Sequence, residues 1–132
     1  MLRIIGLLVV AVCLCQQVQA RADVVPDVSA ATALVRPANV VVLDVRTPAE
    51  FAAGHIEGAV NVDVSGDDFR ARVGELDRAR TYLVHCTKNV EHGRTDQALA
   101  VMSELGFGAL QNLVGGYVAW KAAGGEVITA SH

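Results

Sequence analysis

The sequence predicts an α/β fold: a five-stranded, mainly parallel sheet with helices on both faces. Three observations predict it. Short β-branched runs alternate with helical stretches from about residue 24 to residue 125, the pattern of strands joined by crossover helices. The run NVVVLDV (39–45) is apolar almost without interruption, as expected of a strand covered on both faces. The chain has 132 residues and shows no repeat, linker or low-complexity segment, which suits one domain and not two.

Each element has its own local signal. A brief strand is expected at Val24–Val25. SAATALVR (29–36) starts with Ser29 and stops before Pro37, so it reads as a helix. NVVVLDV follows as the second strand. TPAEFAAG (47–54) has Thr47 as N-cap, Pro48 at the first helical position and Glu50 completing a capping box. Gly54 ends that helix. GAVNVDV (58–64) is a third strand, and DDFRARVGELD (67–77) a helix with Phe69, Val73 and Leu76 on one face. TYLVHC (81–86) is a fourth strand. RTDQALAVMSELGF (94–107) turns Ala98, Val101, Met102 and Leu105 inward. ALQNLVGG (109–116) is the fifth strand and YVAWKAAGG (117–125) a short last helix. Met102 and Trp120 read as core side chains, not cofactor contacts.

Residues 1–20, MLRIIGLLVVAVCLCQQVQA, read as a signal peptide. Arg3 precedes an apolar run from Ile4 to about Cys15, and Val18-Gln19-Ala20 resembles a cleavage site. The apolar run is short for a membrane span; an uncleaved anchor is the alternative. The expected mature chain, 21–132, is a single domain in the periplasm or outside the cell, with no stable membrane association once the signal is removed. Hydrophobic residues make up 52% and the net charge is −3, which excludes a disordered chain. No basic run or aromatic-interleaved basic patch occurs, which argues against a nucleic-acid partner.

Loss of the signal would remove Cys13 and Cys15 and leave Cys86 alone. Exported proteins usually pair their cysteines. A solitary one is either an inert, buried small hydrophobe or a reactive thiol, and the count alone does not choose. Its setting says more. Cys86 ends a strand, and the working residues of open α/β sheets gather at such carboxyl ends; Asp44 and Arg46 sit after another strand. A polar loop follows: Thr87, Lys88, Asn89, Val90, Glu91, His92 and Gly93, then Arg94 opening a helix. Loop amides around the sulfur would form an anion nest. The helix N-terminus, Arg94, Lys88 and His92 would add positive charge. Such surroundings lower a thiol pKa from its ordinary value of about 8.5 and suit covalent catalysis on an anionic substrate. Glu91 opposes this unless it points outward or pairs with Lys88 or Arg94. His55, His85, His92 and His132 show no metal-ligand spacing with Cys86, and no metal or cofactor is implied. His55 reads as a hydrogen-bonding turn residue.

Two long motifs carry a family resemblance. VVLDVRTPAEFAAGHIEGAVNV (41–62) and GFGALQNLVGGYVAWKAAGGEV (106–127) are similar to the opening and closing signatures of single-domain rhodaneses. The resemblance covers nearly all of the expected mature chain. It implies the rhodanese-like fold and a sulfurtransferase with Cys86 as the persulfide-carrying nucleophile. Loop amides would bind the donor, Arg94 would close the loop and hold the donor anion, and Asp44 and Arg46 would brace the loop. The implied donor is a small anion, thiosulfate or a persulfide. The implied acceptor is cyanide or a thiol, a protein thiol included.

The loop departs from the family. Four residues separate Cys and Arg in the resembling sulfurtransferases, and five in the phosphatases and arsenate reductases of the same fold. Here seven intervene. The expectation is a wider or looser anion cradle. A Cys-dependent phosphatase therefore stays an alternative, as does a non-catalytic sulfur carrier or oxidant sensor.

Overall fold

The computed structural model describes residues 25–88 and 90–130; the expected signal segment, Val24, Asn89 and His132 lie outside the described residues. The elements are β1 (Asp27–Val28), α1 (Ala30–Leu34), β2 (Val40–Asp44), α2 (Pro48–Ala53), β3 (Gly54–Ile56), β4 (Val60–Asn61), α3 (Phe69–Gly74), β5 (Thr81–His85), α4 (Arg94–Glu104), β6 (Leu110–Leu113), α5 (Gly116–Ala122) and β7 (Val127–Thr129). Five strands form one sheet in the order β1-β6-β5-β2-β4, and every pair in it is parallel.

Side-chain alternation sorts the core into two layers. Leu43, Tyr82 and Val84 pack with Phe69 and Val73 of α3 and with Ala98, Leu99 and Met102 of α4. Their sequence neighbours Val42 and Leu83 pack on the other face with Ala30 and Ala33 of α1 and Trp120 of α5. The double cover explains the near-continuous apolar runs of β2 and β5.

The caps form as their residues imply. Ser29 Oγ accepts from the Thr32 N–H. The capping box of Thr47 and Glu50 is complete, with Pro48 in the first turn. Several boundaries differ from the sequence expectation. The first described strand lies at Asp27–Val28 and pairs with Asn112 and Leu113; of the strand expected at 24–25, Val24 lies outside the described residues and Val25 is not in a strand. The strand expected at 58–64 keeps ladder pairing only at Val60–Asn61. Beyond it, the Val62 and Val64 N–H groups still donate to the Asp44 and Val45 carbonyls. The helix expected at 94–107 ends at Glu104, and Gly106 has a φ of 89°.

One feature is additional: β3 and β7 pair antiparallel as a separate two-stranded ribbon. Gly54 stops α2 and also opens β3, with an extended φ of 173°. A Cβ there would stand 2.5 Å from the Tyr117 Oη, so a larger residue would have to displace the tip of that side chain. Among the described residues no helix is long and apolar enough to cross a membrane.

Leu83 is 1% exposed and lies under α1 and α5. Leu83→Ala is expected to cost about 2–5 kcal/mol, read as a lower urea midpoint with an unchanged denaturant slope.

Candidate active site

The sheet order places the site. After β2 the chain moves outward to β4, and after β5 it moves the opposite way, through α4 to β6. The two connections diverge and leave a crevice at the carboxyl ends of adjacent strands, where open α/β sheets bind ligands. Asp44 and His85 are register partners at that edge, and Cys86 is the next residue. Its side chain belongs to the layer under α4 and is 3% exposed. The sulfur is a thiol, not a disulfide, and it donates to the Lys88 carbonyl at 3.0 Å.

The backbone leaving β5 carries carbonyls that the sheet no longer serves. The Tyr117 N–H donates to the Cys86 carbonyl at 2.9 Å, and the Val118 N–H to the Thr87 carbonyl at 3.1 Å. The first turn of α5 therefore holds the cysteine backbone in place. Gly115 and Gly116 enter this helix with φ of 75° and 58°, a region that favours glycine. A Cβ on Gly116 would stand 2.5 Å from the Cys86 carbonyl oxygen and 2.8 Å from that of Thr87. Gly116 of the closing motif is thus a requirement of the cysteine's own position, whereas a Cβ on Gly115 would meet Ala119 of the same helix.

On the far side of the strand end, Asp44 and Arg46 form a buried pair. Arg46 Nη2 donates to Asp44 Oδ2 at 2.7 Å, and Arg46 Nε reaches both carboxylate oxygens. The same Nη2 donates to the Gly54 carbonyl at 2.7 Å. The guanidinium lies 4.3 Å from the Tyr117 ring centroid, a cation–π geometry. Asn61 Nδ2 donates to the carbonyls of both Asp44 and Arg46. These residues tie β2, β3, β4 and α5 together beside the cysteine. Removing one partner of such a buried pair typically costs about 3–5 kcal/mol.

His85 is fully buried. Its Nδ1 faces the Cys86 carbonyl at 2.9 Å; a carbonyl only accepts, so Nδ1 carries the proton. Burial pushes the imidazole pKa down, opposed by the Asp44 charge. The neutral ring is therefore the Nδ1–H tautomer, and it buttresses the cysteine backbone.

The most consequential contact is one the sequence did not single out. Arg94 Nη1 donates to Glu50 Oε1 at 2.6 Å and Nη2 to Glu50 Oε2 at 3.1 Å. Thr87 Oγ1 donates to Glu50 Oε2 at 2.9 Å and accepts from Arg94 Nη2 at 3.2 Å. Glu50 thus caps α2 and at the same time anchors both ends of the loop. Hydrogen bonding from Arg94 holds its carboxyl down to about 2, helped by Thr87 and opposed by partial burial. The partner guanidinium pKa is raised by the same contact. A signal was present: a lone arginine opening a helix beside a crevice needs a counter-charge, and Glu50 is the acidic residue on the adjoining strand-to-helix connection.

The rest of the loop folds outward. The Gly93 N–H donates to the Val90 carbonyl at 2.9 Å, closing a turn over Val90–Gly93. His92 takes a φ of 57°, and its N–H donates to Asp96 Oδ2 at 2.7 Å. The amides of His92 and Gly93 are therefore committed to the turn and not to the sulfur, contrary to a cradle drawn from all the loop amides. Glu91 and His92 are exposed and face each other at 3.5 Å; the carboxylate paired with Arg94 is that of Glu50. Lys88 and Val90 are exposed too, and Asn89 lies outside the described residues. The structure brings together Cys86, Thr87, Arg94, Asp44 and Arg46, adds Glu50, Gly116 and Tyr117, and leaves Val90, Glu91 and His92 at the rim. The added length is taken up in an external turn, while the Thr87–Arg94–Glu50 contact keeps the loop's two ends together.

Comparison with known proteins agrees with this architecture. The family described as rhodanese-like domain matches residues 27–123. A sulfurtransferase of Allochromatium vinosum is 31% identical over 90 residues, covering 68% of this chain and 79% of that protein. The chloroplastic thiosulfate sulfurtransferase 16 of Arabidopsis thaliana is 36% identical over 92 residues, covering 62% and 74%. Among solved structures, a rhodanese-related protein of Thermoplasma volcanium superposes with a TM-score of 0.69 at 28% identity, covering 78% of this chain and 97% of that one.

Gly116→Ala forces the Cys86 and Thr87 carbonyls to move; the expected cost is about 1–3 kcal/mol, seen as a lower melting temperature. Glu50→Gln gives a pH test. The folded-state pKa of Glu50 lies below its unfolded value of about 4.3, so its stabilisation is full above that value and lost as pH falls toward about 2. The stability gap between the parent chain and Glu50→Gln should be wide at neutral pH and narrow at about pH 3. An equal gap at both would remove the ion pair as its source.

Proposed function

The chain belongs to the rhodanese-like domain family, and on that premise we propose that it is a sulfurtransferase working through a Cys86 persulfide. The observation that carries the reading is the placement of a single described thiol at the strand-end crevice, with a loop tied by Glu50, Thr87 and Arg94. In the first half-reaction the Cys86 thiolate attacks the outer sulfur of thiosulfate or of a persulfide donor. The sulfur–sulfur bond of the donor breaks, and its electron pair leaves on sulfite or on the donor thiolate. Cys86 then carries the extra sulfur as a persulfide. In the second half-reaction cyanide or a thiolate attacks that outer sulfur, and the electron pair returns to Sγ. Two displacements through one covalent intermediate give ping-pong kinetics.

Arg94 has two roles in this reading. Its fork on Glu50 closes the loop, and its charge favours an anionic donor and the leaving sulfite. The external turn leaves the Arg94–Thr87 closure intact, which supports sulfur chemistry despite the added loop length. We also propose that residues 1–20 direct export and are removed, which sets the reaction in the periplasm or outside the cell.

Intact-mass spectrometry tests the reading before thiosulfate, after it, and after cyanide. The expected result is a gain of about one sulfur mass that cyanide removes, absent in Cys86→Ser; the same spectrum reads the mature N-terminus. A folded protein that takes up no sulfur, or a Cys86→Ser variant with full transfer activity, would overturn it. Phosphate release from an aryl phosphate would instead favour a phosphatase. Arg94→Ala should depress the rate with thiosulfate by about tenfold to a hundredfold, and more than with an uncharged persulfide donor.

A further inference from the structure

His85 is a buried titratable side chain that the sulfur-transfer steps leave unused. It interrupts an apolar strand, with Leu83 and Val84 buried before it. Its Nδ1–H donates to the Cys86 carbonyl at 2.9 Å. Its Nε2 is buried and has no hydrogen-bond partner among the described residues. Asp44 Oδ2 stands 3.8 Å from it, but a carboxylate is an acceptor and offers this nitrogen no proton. A buried polar atom left unpaired costs about 1–3 kcal/mol, so an apolar side chain of similar size would suit the strand better. Nor does the Cys86 carbonyl need the imidazole for its own sake, because the Tyr117 N–H already donates to it at 2.9 Å. The stability of the fold therefore does not account for a histidine at 85. What the ring supplies is a second donor on the carbonyl of Cys86 itself.

The carbonyl carbon of Cys86 is three bonds from Sγ, so the two stay roughly 3–4 Å apart in every rotamer. The carbonyl oxygen carries partial negative charge beside the sulfur and opposes a thiolate there. Each N–H donated to that oxygen offsets part of the charge, and the effect is stronger in a buried, low-dielectric setting. We propose that the His85 Nδ1–H makes the Cys86 thiol easier to ionise, acting through the Cys86 carbonyl. His85 is thus a positioning residue: it touches the backbone of Cys86 and neither the donor nor the acceptor of sulfur. The ring acts as a neutral donor, because burial pushes its pKa down. The other charged and titratable groups around the pair are Asp44 and Arg46 at the end of β2, Arg94 of α4 with Glu50 of α2, the exposed Lys88 of the loop, and Tyr117 of α5, whose ring faces Arg46. All of them are kept in the variants below. The catalytic consequence rests on the sulfurtransferase reading. More thiolate is available to attack the donor at a given pH, and Sγ is a better leaving group when the persulfide gives up its outer sulfur.

Two variants of the full chain test this. His85→Leu removes the donor and keeps the volume; His85→Asn keeps a donor, with its side-chain NH2 in the place of Nδ1. The rate of alkylation by iodoacetamide is followed against pH on the Cys86 peptide by mass spectrometry. The midpoint of that profile should rise by about one pH unit in His85→Leu, which is about tenfold less thiolate at pH values below it. His85→Asn should return most of the shift. An unchanged midpoint in folded His85→Leu overturns the proposal. An equal rise in both variants overturns it too, since a ring with a merely structural role would give that result. The parent chain supplies a second readout that needs no variant to fold. In imidazole 15N NMR the His85 Nδ1–H signal should move with the midpoint of the alkylation profile, because the coupling between the two groups is reciprocal. An Nε2–H tautomer, or a signal that ignores thiol ionisation, overturns the proposal. The expected midpoint shift without any sulfur uptake from thiosulfate supports it and overturns the sulfur-transfer reading. Sulfur uptake with an unmoved midpoint overturns it alone, so the two failures are told apart.

Discussion

The site depends on one constraint: the carbonyl groups that leave the end of β5 need hydrogen-bond donors. A buried carbonyl without one is costly. The His85 carbonyl accepts from the Val45 N–H within the strand-end edge, and those of Cys86 and Thr87 accept from the first turn of α5. This last pairing fixes where α5 begins and how closely it approaches. It also explains why glycine stands at 116. His85 adds a second donor to the Cys86 carbonyl. The Cys86 carbonyl thus has donors from α5 and from His85 before any loop residue is considered.

Electrostatics is layered on that frame. Asp44 and Arg46 neutralise each other in the interior; Arg46 also donates to the Gly54 carbonyl of β3, and the backbone carbonyls of both residues accept from the Asn61 side chain of β4. A buried pair of this kind gives little net stability against an apolar pair of the same shape; its contribution here is orientation. Glu50 and Arg94 are a half-exposed pair, so solvent screening reduces their Coulomb energy. Their bidentate geometry and shared hydroxyl still make them a specific clasp. The clasp joins α2, which follows β2, to the start of α4, which follows the loop. The two diverging connections that create the crevice are therefore tied across it.

The long loop illustrates how an insertion is accommodated. Extra residues in a surface connection cost little entropy when both ends stay anchored. Here the surplus closes on itself at Val90–Gly93 and is pinned by Asp96. The ends remain joined through Thr87 and Arg94. The turn changes what the rim of the site presents, with Val90, Glu91 and His92 turned outward, more than it changes what surrounds the sulfur.

Much of this was legible in the sequence, because the signals were local. Continuous apolar runs marked β2 and β5, the Thr47–Glu50 box and Pro48 marked α2, and a cysteine at a strand end before an arginine-led helix marked the candidate site. Periodicity and capping are properties of a few neighbouring residues, so they survive without tertiary context. The β3–β7 ribbon was not legible: each strand is three residues long, and each exists only through a partner some seventy residues away. The second role of Glu50 was hidden for the same reason, since its capping partner is three residues distant and its ion-pair partner forty-four. The sequence by itself determined the layers of the fold and the identity of the thiol. Only the tertiary structure decided which charges meet and which amides serve the loop, because those depend on strand order and helix approach rather than on any local pattern.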